Sequence, residues 1–528
     1  MRNPQVIDVL VIGAGPSGST VAIDLVRRGF DVRIVDRSPH AFDGSRAKGI
    51  QPRSLEVLED LGALDDVLAG GSTYPKLGIH AGPLAVPWKM FTHREATPDV
   101  PYPNTWLIPQ FRTDRALHAR LCELGREIEF GKELTELTQD EDTVVAKVVG
   151  ADGVEEIVAR YAVGADGGSS AVRKQLDIGF VGTTDEADRV LIVDASVSGL
   201  ARNRWHMWPG LGGKLVGACP LPHSDMFQWM IRLTPDEKPP QEIGAIIDRI
   251  HSHTRNRHIQ LHDIHWQSVF RPNIRLAQHY GRGRVFLVGD AAHVHTPAGA
   301  QGLNTGMQDG YNLAWKLGQV LAGADPALLD TYEAERQPIA AGVLGLSTEK
   351  WGGIAKLDPS SMKRGKDEQQ LSLTYYGGPL APADGDSSDT STLHVGDRAP
   401  DARLLGADGA ETRLFNLFQG PHFTAIAYGP GAARDLELLN WPTTGAQLKR
   451  LTVGSAAGFS DPRNTLRSAY GLNGDTLLLI RPDGYVGHIA TRDFLTSTQA
   501  AVRAMTPRAR SRTMSQQSRT SPGSGANA

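Results

Sequence analysis

The sequence predicts an α/β fold in three parts: an N-terminal strand–turn–helix–strand unit, a mostly antiparallel second lobe, and a separate C-terminal α/β domain. Three observations carry this expectation. The apolar run Val6–Ile12 leads straight into the glycines of Gly13-Ala14-Gly15-Pro16-Ser17-Gly18. Residues 180–272 alternate strand-like runs, Val190–Val197 and Phe227–Leu233 among them, with turns. Around 377–391 the composition shifts to Gly, Pro, Asp, Ser and Thr, the mark of a linker, and 392–505 then read as another α/β stretch.

Taken in order, Val6–Ile12 is interrupted by Asp8 and carries no cleavage pattern, so it reads as a first β-strand and not as a signal peptide. The helix Ser17–Arg28 has one apolar stripe, Val21, Ala22, Leu25 and Val26, and Gly29 is placed to end it. Asp31–Asp36 follows as the second strand. Residues 76–105 hold many Pro and Gly and read as loops. Val144–Val149 and Glu156–Ala159 flank Gly150-Ala151-Asp152-Gly153, a hairpin turn. Val285–Val288 has a buried-strand pattern, and Leu303–Leu321 has helical apolar spacing. The tail, 506–528, is rich in Arg, Ser, Thr and Gly without apolar periodicity and reads as disordered.

A chain of 528 residues has room for two or three domains, and no internal repeat is evident. Its 40% hydrophobic and 22% charged residues are those of an ordinary globular protein. A formal net charge of -4 and a pI near 6.5 argue against nucleic acid or an anionic membrane as the main partner. No apolar run approaches the roughly 18 residues of a membrane helix. Two cysteines, Cys122 and Cys219, are too few for a disulfide scaffold or a cysteine-built metal site, and a cytoplasmic location is the expectation.

Three motifs carry chemistry. In the first, Gly13 permits a tight turn, Gly15 lets backbone approach a pyrophosphate, and Gly18 allows close helix–strand packing. The helix N-terminus offers free N–H groups and partial positive charge to phosphates. Asp36 ends the next strand, where an acid can bond ribose hydroxyls. With both strands in place the unit reads as a Rossmann-like dinucleotide site. The second motif is Val163-Gly164-Ala165-Asp166-Gly167-Gly168-Ser169-Ser170 with Ala171-Val172-Arg173. The third runs from Val285-Phe286-Leu287-Val288-Gly289-Asp290-Ala291-Ala292-His293 to Gln301-Gly302-Leu303-Asn304-Thr305-Gly306.

In this order and spacing the three motifs resemble the para-hydroxybenzoate hydroxylase family of FAD-dependent aromatic monooxygenases, over roughly residues 5–345. The resemblance implies an FAD-binding domain (1–75, 106–180 and 273–376) interleaved with an antiparallel-sheet substrate domain (76–105 and 181–272). It implies non-covalent FAD, with NADPH or NADH as a transient donor bound without a nucleotide domain of its own. O2 and a small aromatic molecule are the expected partners, and a homodimer is compatible with the reading. By matched position Asp36 holds the adenosine ribose, Arg46 and Gln110 contact FAD, and Asp166 serves both FAD and the nicotinamide nucleotide. Asp290 accepts from the ribityl chain, and Pro297 sits just before the flavin. Gly302, Leu303 and Asn304 bring backbone to the flavin pyrimidine ring, where a helix N-terminus would stabilise the negative charge of the reduced ring. Pro16, Ser17, Arg37, Leu134 and Gly289 complete the expected cofactor set. Gln301 departs from the family enzyme, which has Lys there.

The implied reaction is hydroxylation of a phenolic, multi-ring substrate through a flavin C4a-hydroperoxide. The cofactor does the chemistry, so no catalytic side chain is assigned beyond the Pro297 and Gly302 backbone near the flavin. Baeyer–Villiger or epoxidising oxygenation on the same fold is the alternative, and a non-catalytic flavin-binding adaptor is a further one. Trp205-His206-Met207-Trp208-Pro209 is similar to the paired-tryptophan signature of flavin-dependent halogenases but lacks its Ile, and reads as aromatics on a strand. Phe227 and Trp229 either line a pocket or pack the sheet. His293 and His295 have no carboxylate or Cys at ligand spacing; no metal is expected, and His293 reads as a packed histidine. Val395-Gly396-Asp397-Arg398-Ala399-Pro400-Asp401, Phe423–Tyr428 and Leu477–Ile480 resemble the thioredoxin-like appendage of phenol and polyketide hydroxylases. Residues 392–528 hold no Cys, which excludes thiol–disulfide chemistry there.

Overall fold

A computed structural model of the chain describes residues 5–82, 84–90, 92–296, 301–355, 367–383, 393–454 and 458–507. The first strand, Ile7–Ile12, lies inside an eight-stranded sheet. It pairs in parallel with Val32–Asp36 on one side and with Gly153–Gly164 on the other. Ile128–Phe130 and Val285–Leu287 extend the parallel run outward. Only Asp8 interrupts the burial of the first strand, as expected of a strand covered on both faces. The helix Pro16–Val26 packs against both Gln110–Glu123 and Gly302–Leu321. The glycine hairpin forms as expected, with Gly150 facing Gly153. Its second strand then runs on to Gly164 and joins the parallel sheet, carrying the chain directly to the second motif.

A second sheet of seven strands has the order Gln260–Phe270, Arg189–Ser198, Met226–Leu233, Leu215–Pro220, Arg204–Pro209, Lys76–Ala81 and Leu84–Trp88. All its pairings are antiparallel except that of Arg204–Pro209 with Lys76–Ala81. The last two strands correct the loop reading of 76–105. Gly78, Gly82 and Pro87 hide the strand pattern locally, and pairing to a strand more than a hundred residues away supplies what propensity does not. The helix Ile243–Thr254 covers one face of this sheet, where Trp208, Phe227, Trp229, Ile246 and Ile250 form a buried core.

The C-terminal region has a four-stranded sheet in the order Leu448–Val453, Phe423–Tyr428, Thr476–Ile480 and Val486–Ala490. The first pair is parallel and the others antiparallel. Strand alternation divides its side chains. Ile426, Leu478 and Ile480 face a core of their own, whereas Phe423, Ala425, Leu477 and Leu479 join the main core. Charges are buried at that join. Arg481 makes a two-pronged pair with Glu335 (2.7 and 2.9 Å), and Lys316 Nζ donates to the same carboxylate at 2.8 Å. Trp315 meets Phe423 edge-on, with ring centroids 5.7 Å apart. Thr506 and Pro507 are buried, and the Thr506 hydroxyl donates to the Val502 carbonyl at 2.7 Å. Of the tail expected from about 506, these two residues are packed, and 508–528 lie outside the described residues. Of the expected linker, Gly377 and Ala381 close a turn through a 2.7 Å bond, and 384–391 lie outside the description. Among the described residues no helix is long and apolar enough to cross a membrane.

Candidate active site

The first motif turns where the parallel strands end. Gly13 sits at φ +108°, which L side chains rarely adopt, and its amide donates to the Val35 carbonyl at 2.8 Å. A Cβ at Gly18 would collide with the Gly13 carbonyl oxygen, whereas one at Gly15 would meet nothing within 4 Å. The motif is thus tight against the sheet on one side and open on the other. Pro16 occupies the first helical turn, and no side chain caps the helix start. Asp36 braces this turn, accepting from the Ala14 and Ser38 amides, each at 2.8 Å. Arg37 beside it is exposed. Leu134 packs into the core.

The second and third motifs meet. Asp166 caps the short helix Ala171–Gln175, accepting from the Ala171 amide at 2.6 Å and the Val172 amide at 3.1 Å, while its other carboxylate oxygen is buried without a partner. Arg173 donates to the Gly168 carbonyl (3.1 Å) and to the Ala291 carbonyl of the third motif (2.8 Å). Ser17 fills the space beside Gly289 and Gly306, so the first motif touches the third. Beneath lies a buried ionic group: His293 Nε2 to Asp309 Oδ2 at 2.6 Å, and Arg336 Nε donating to Asp309 Oδ1 at 2.7 Å. Burial pushes the Asp309 carboxyl up, but Arg336 and His293 outweigh it and hold it below the usual range. His293 is a packed histidine. His295 is half-buried, and its pKa is pushed down to about 3 by burial and by His293. Among the described residues no group of three His, Cys, Asp or Glu is placed to hold a metal.

Asp290 is exposed by area yet enclosed by enough protein that burial pushes its carboxyl up, with Arg46 and His293 opposing. Gln110 opens its helix, and its amide donates to the Ala47 carbonyl at 2.8 Å. Four residues on, Asp114 is buried with one oxygen unpartnered, and its pKa is pushed up to about 8 by burial and by Asp36. At the start of Gly302–Leu321, Asn304 holds the Gly49 carbonyl and the Gln51 amide with its side-chain amide, each at 2.8 Å. Gln301 is buried and held by Gln370 and the Glu368 carbonyl, and no side chain caps the helix start. The Gln301 side chain thus makes no capping bond to the helix it precedes. Pro297 lies outside the described residues.

Sequence reasoning passed over one cluster. The Ser45 amide and hydroxyl donate to Asp194 (2.7 and 2.5 Å). Gln228 donates to the Ser45 carbonyl and hydroxyl and accepts from Lys48 Nζ. Lys48 Nζ also lies 4.8 Å from the centre of the Trp205 ring, and Tyr74 donates to the Lys48 carbonyl at 3.0 Å. Trp205 therefore faces this cluster, whereas Trp208, three residues on and so on the opposite face, is core. Phe227 and Trp229 are fully buried and pack the sheet. A cavity of about 260 Å3 opens nearby, between Ser72–Thr73, Leu107, Arg202 and the Pro220–His223 turn.

A parallel sheet ending in a glycine turn, opposite a helix start free of capping side chains, defines a dinucleotide-binding protein. The donor set suits a flavin dinucleotide: open backbone at Gly15, carboxylates at Asp36 and Asp290, and the 302–304 amides. The sequence model of the FAD binding domain family matches residues 6–347. A flavin-dependent monooxygenase of Mycobacteroides abscessus is 38% identical over 91% of this chain and 96% of its own length. The 12-dehydrotetracycline 5-monooxygenase/anhydrotetracycline 6-monooxygenase of Streptomyces rimosus is 33% identical over 91% and 94%. The solved structure of the anhydrotetracycline hydroxylase of Streptomyces rimosus superposes with a TM-score of 0.72 at 30% identity, covering 95% of this chain and 99% of that one. The chain belongs to the FAD-binding family and is an FAD-dependent monooxygenase of the aromatic-hydroxylase group, for which NAD(P)H is the typical electron donor.

Proposed function

We propose that the protein hydroxylates a multi-ring phenolic molecule of the polyketide type, bound between the seven-stranded sheet and the FAD cleft. The observation that carries this is the Lys48–Gln228–Ser45–Asp194 cluster, flanked by Trp205 and Tyr74 on the sheet face opposite the helix. An aromatic slot with a few fixed polar groups suits a flat, oxygenated ring system. The anhydrotetracycline-acting relatives support the size of the substrate.

Bound FAD supplies electron transfer from NAD(P)H and activation of O2. The chain supplies the setting. In this reading Gly13, Gly15, Pro16, Ser17 and Gly18 seat the pyrophosphate, with Asp36 and Arg37 at the adenosine end. Arg46 and Asp290 face each other along the cleft with Gln110, and Gly289 lets Asp290 reach the sugar chain. The 302–304 amides polarise the ring, Pro297 borders it, and Leu134 lends backbone only. Arg173 joins the two motifs that flank the nicotinamide approach, and Asp166 serves FAD and the nicotinamide nucleotide. The domain boundaries, the cytoplasmic location and a homodimer belong to the same proposal.

We take the C-terminal sheet to be a thioredoxin-like appendage without redox chemistry. Its parallel first pair, antiparallel remainder and flanking helices Pro430–Leu438 and Phe494–Met505 support this, as does the absence of Cys from 392–528. The test is a screen of polycyclic and simple phenols that follows NADPH consumption and product mass together. Stimulation by small phenols alone, with tight coupling to product, overturns the polyketide assignment.

A further inference from the structure

Lys48 is the buried cation whose position the cofactor reading does not use. By area it is half-buried, and burial pushes its pKa down. It lies two residues from Arg46, whose charge bears on Asp290, and next to Gly49, whose carbonyl Asn304 holds. Lys48 therefore stands where the FAD cleft meets the seven-stranded sheet. Its Nζ donates to the Gln228 carbonyl oxygen and approaches Met230 Sδ at 4.0 Å. Among the described residues no carboxylate comes within ion-pair distance of it.

Most buried lysines are paired with an acid. The charged and titratable groups that face this one are Asp194, on Arg189–Ser198, and Cys219, on Leu215–Pro220. Asp194 spends its carboxylate on Ser45. The Cys219 thiol is pushed up to about 11 by burial and stays neutral. Gln228, Met230, Trp205 and Tyr74 complete the surroundings and carry no charge. A neutral Lys48 amine has two N–H bonds, directed at Gln228 and Met230, and one lone pair left over. Trp205 gives an aromatic face beside it.

We infer that Lys48 is a catalytic residue that takes the proton from the acidic hydroxyl of the aromatic substrate and then pairs with the resulting phenolate. The substrate O–H bond breaks with its electron pair left on oxygen, and the amine lone pair takes the proton. Phenolate and ammonium stand side by side, and nothing is oxidised in the step. The ring so charged is a better partner for an electrophilic oxygen, and Lys48 selects substrates with an acidic hydroxyl at that end. Fixed bonds from Gln228 aim the amine, and the Ser45–Asp194 anchor fixes Gln228. This inference rests on the phenolic-substrate reading above.

The test uses the FAD-loaded full chain and three chromogenic acidic probes: anhydrotetracycline, 1-naphthol and 4-nitrophenol. Difference spectra across pH read the ionised fraction of bound probe, apart from any turnover. In the wild type at least one probe binds and ionises about one pH unit lower than it does free in solution, a tenfold shift. Lys48→Met abolishes that shift and Lys48→Arg keeps it, because a fixed cation still stabilises the phenolate. Lys48→Gln replaces the Met variant if the latter loses FAD. An equal shift in wild type and Lys48→Met, or no binding of any probe to the wild type, overturns the assignment. Failure of the monooxygenase reading looks different: purified protein that takes up no FAD and oxidises no NADPH with any aromatic compound.

Discussion

Asn304 holds Gly49: its side-chain amide donates to the Gly49 carbonyl at 2.8 Å while accepting from the Gln51 amide, tying the start of the long helix to the segment just after Arg46 and Lys48. The two ends of the proposed flavin-ring site are therefore one rigid piece. Asn304→Ala strands two buried backbone groups, at about 1–3 kcal/mol each. The expected result is a lower Tm and at least tenfold weaker FAD binding. Asn304→Asp fares no better, since a carboxylate cannot donate to Gly49. An alanine variant with wild-type FAD affinity removes the clamp from the account.

Asp290 is proposed to accept from the ribityl chain. A hydrogen bond with a charged acceptor is worth about 1.5–3 kcal/mol, so Asp290→Ala weakens FAD binding by about 10- to 100-fold. Asp290→Asn loses less, as the amide oxygen still accepts. Flavin fluorescence on titration of the apoprotein gives both constants.

Arg481→Met leaves Asp483 and half of Glu335 without a cation inside the join of the two regions. Breaking a buried pair in this way costs about 3–5 kcal/mol, read by urea denaturation. Burial pushes the Glu335 carboxyl up, but Arg481 and Lys316 overwhelm it and hold it well below the usual range. Lys316 is pushed down to about 8 by burial and by its neighbour Arg481, with Glu335 opposing. A depressed carboxylate contributes stability in full above its unfolded pKa, about 4.3, and loses it as pH falls toward the folded value. Wild type therefore weakens below that pH more steeply than Arg481→Met. A chain ending near 390 removes Arg481 and bares Phe423's partners, and loses solubility or thermal stability before it loses FAD binding.

Asp114 gives the opposite sign. Its carboxyl is raised to about 8 in the folded protein against 3.8 in the open chain. The native state then binds the extra proton, and stability falls as pH rises between those values. Asp114→Asn abolishes that fall, so the variant gains on wild type between pH 5 and 8. Parallel melting curves across that range that never converge or cross sink the assignment.

How much was legible in the sequence follows from the range of the interactions. The glycine turn, Asp36 and the strand Val285–Leu287 that leads to Asp290 are local patterns, and they appear where the chain places them. Gly13 needs its positive φ whatever surrounds it. The strands Lys76–Ala81 and Leu84–Trp88 were hidden because Gly and Pro mask alternation, and only pairing with Arg204–Pro209 makes them strands. Lys48 drew no notice because its partners Gln228, Met230 and Trp205 come from a distant sheet. The docking of the C-terminal sheet was half visible: the apolar strands announced a core, but nothing in 392–505 shows that Arg481 would meet Glu335. His293 could be read as packed from spacing alone, although its partner Asp309 could not.

The central claim is that this chain inserts one atom of O2 into a phenolic ring, using bound FAD. It is tested most directly by supplying the yellow, FAD-containing protein with NADPH, isotopically heavy O2 and a panel of polycyclic phenols, followed by product mass and structure. Substrate-stimulated NADPH oxidation and a hydroxylated ring bearing one heavy oxygen are the expected result. NADPH oxidation indifferent to every phenol and yielding only peroxide, or a product whose new oxygen comes from water, would contradict it.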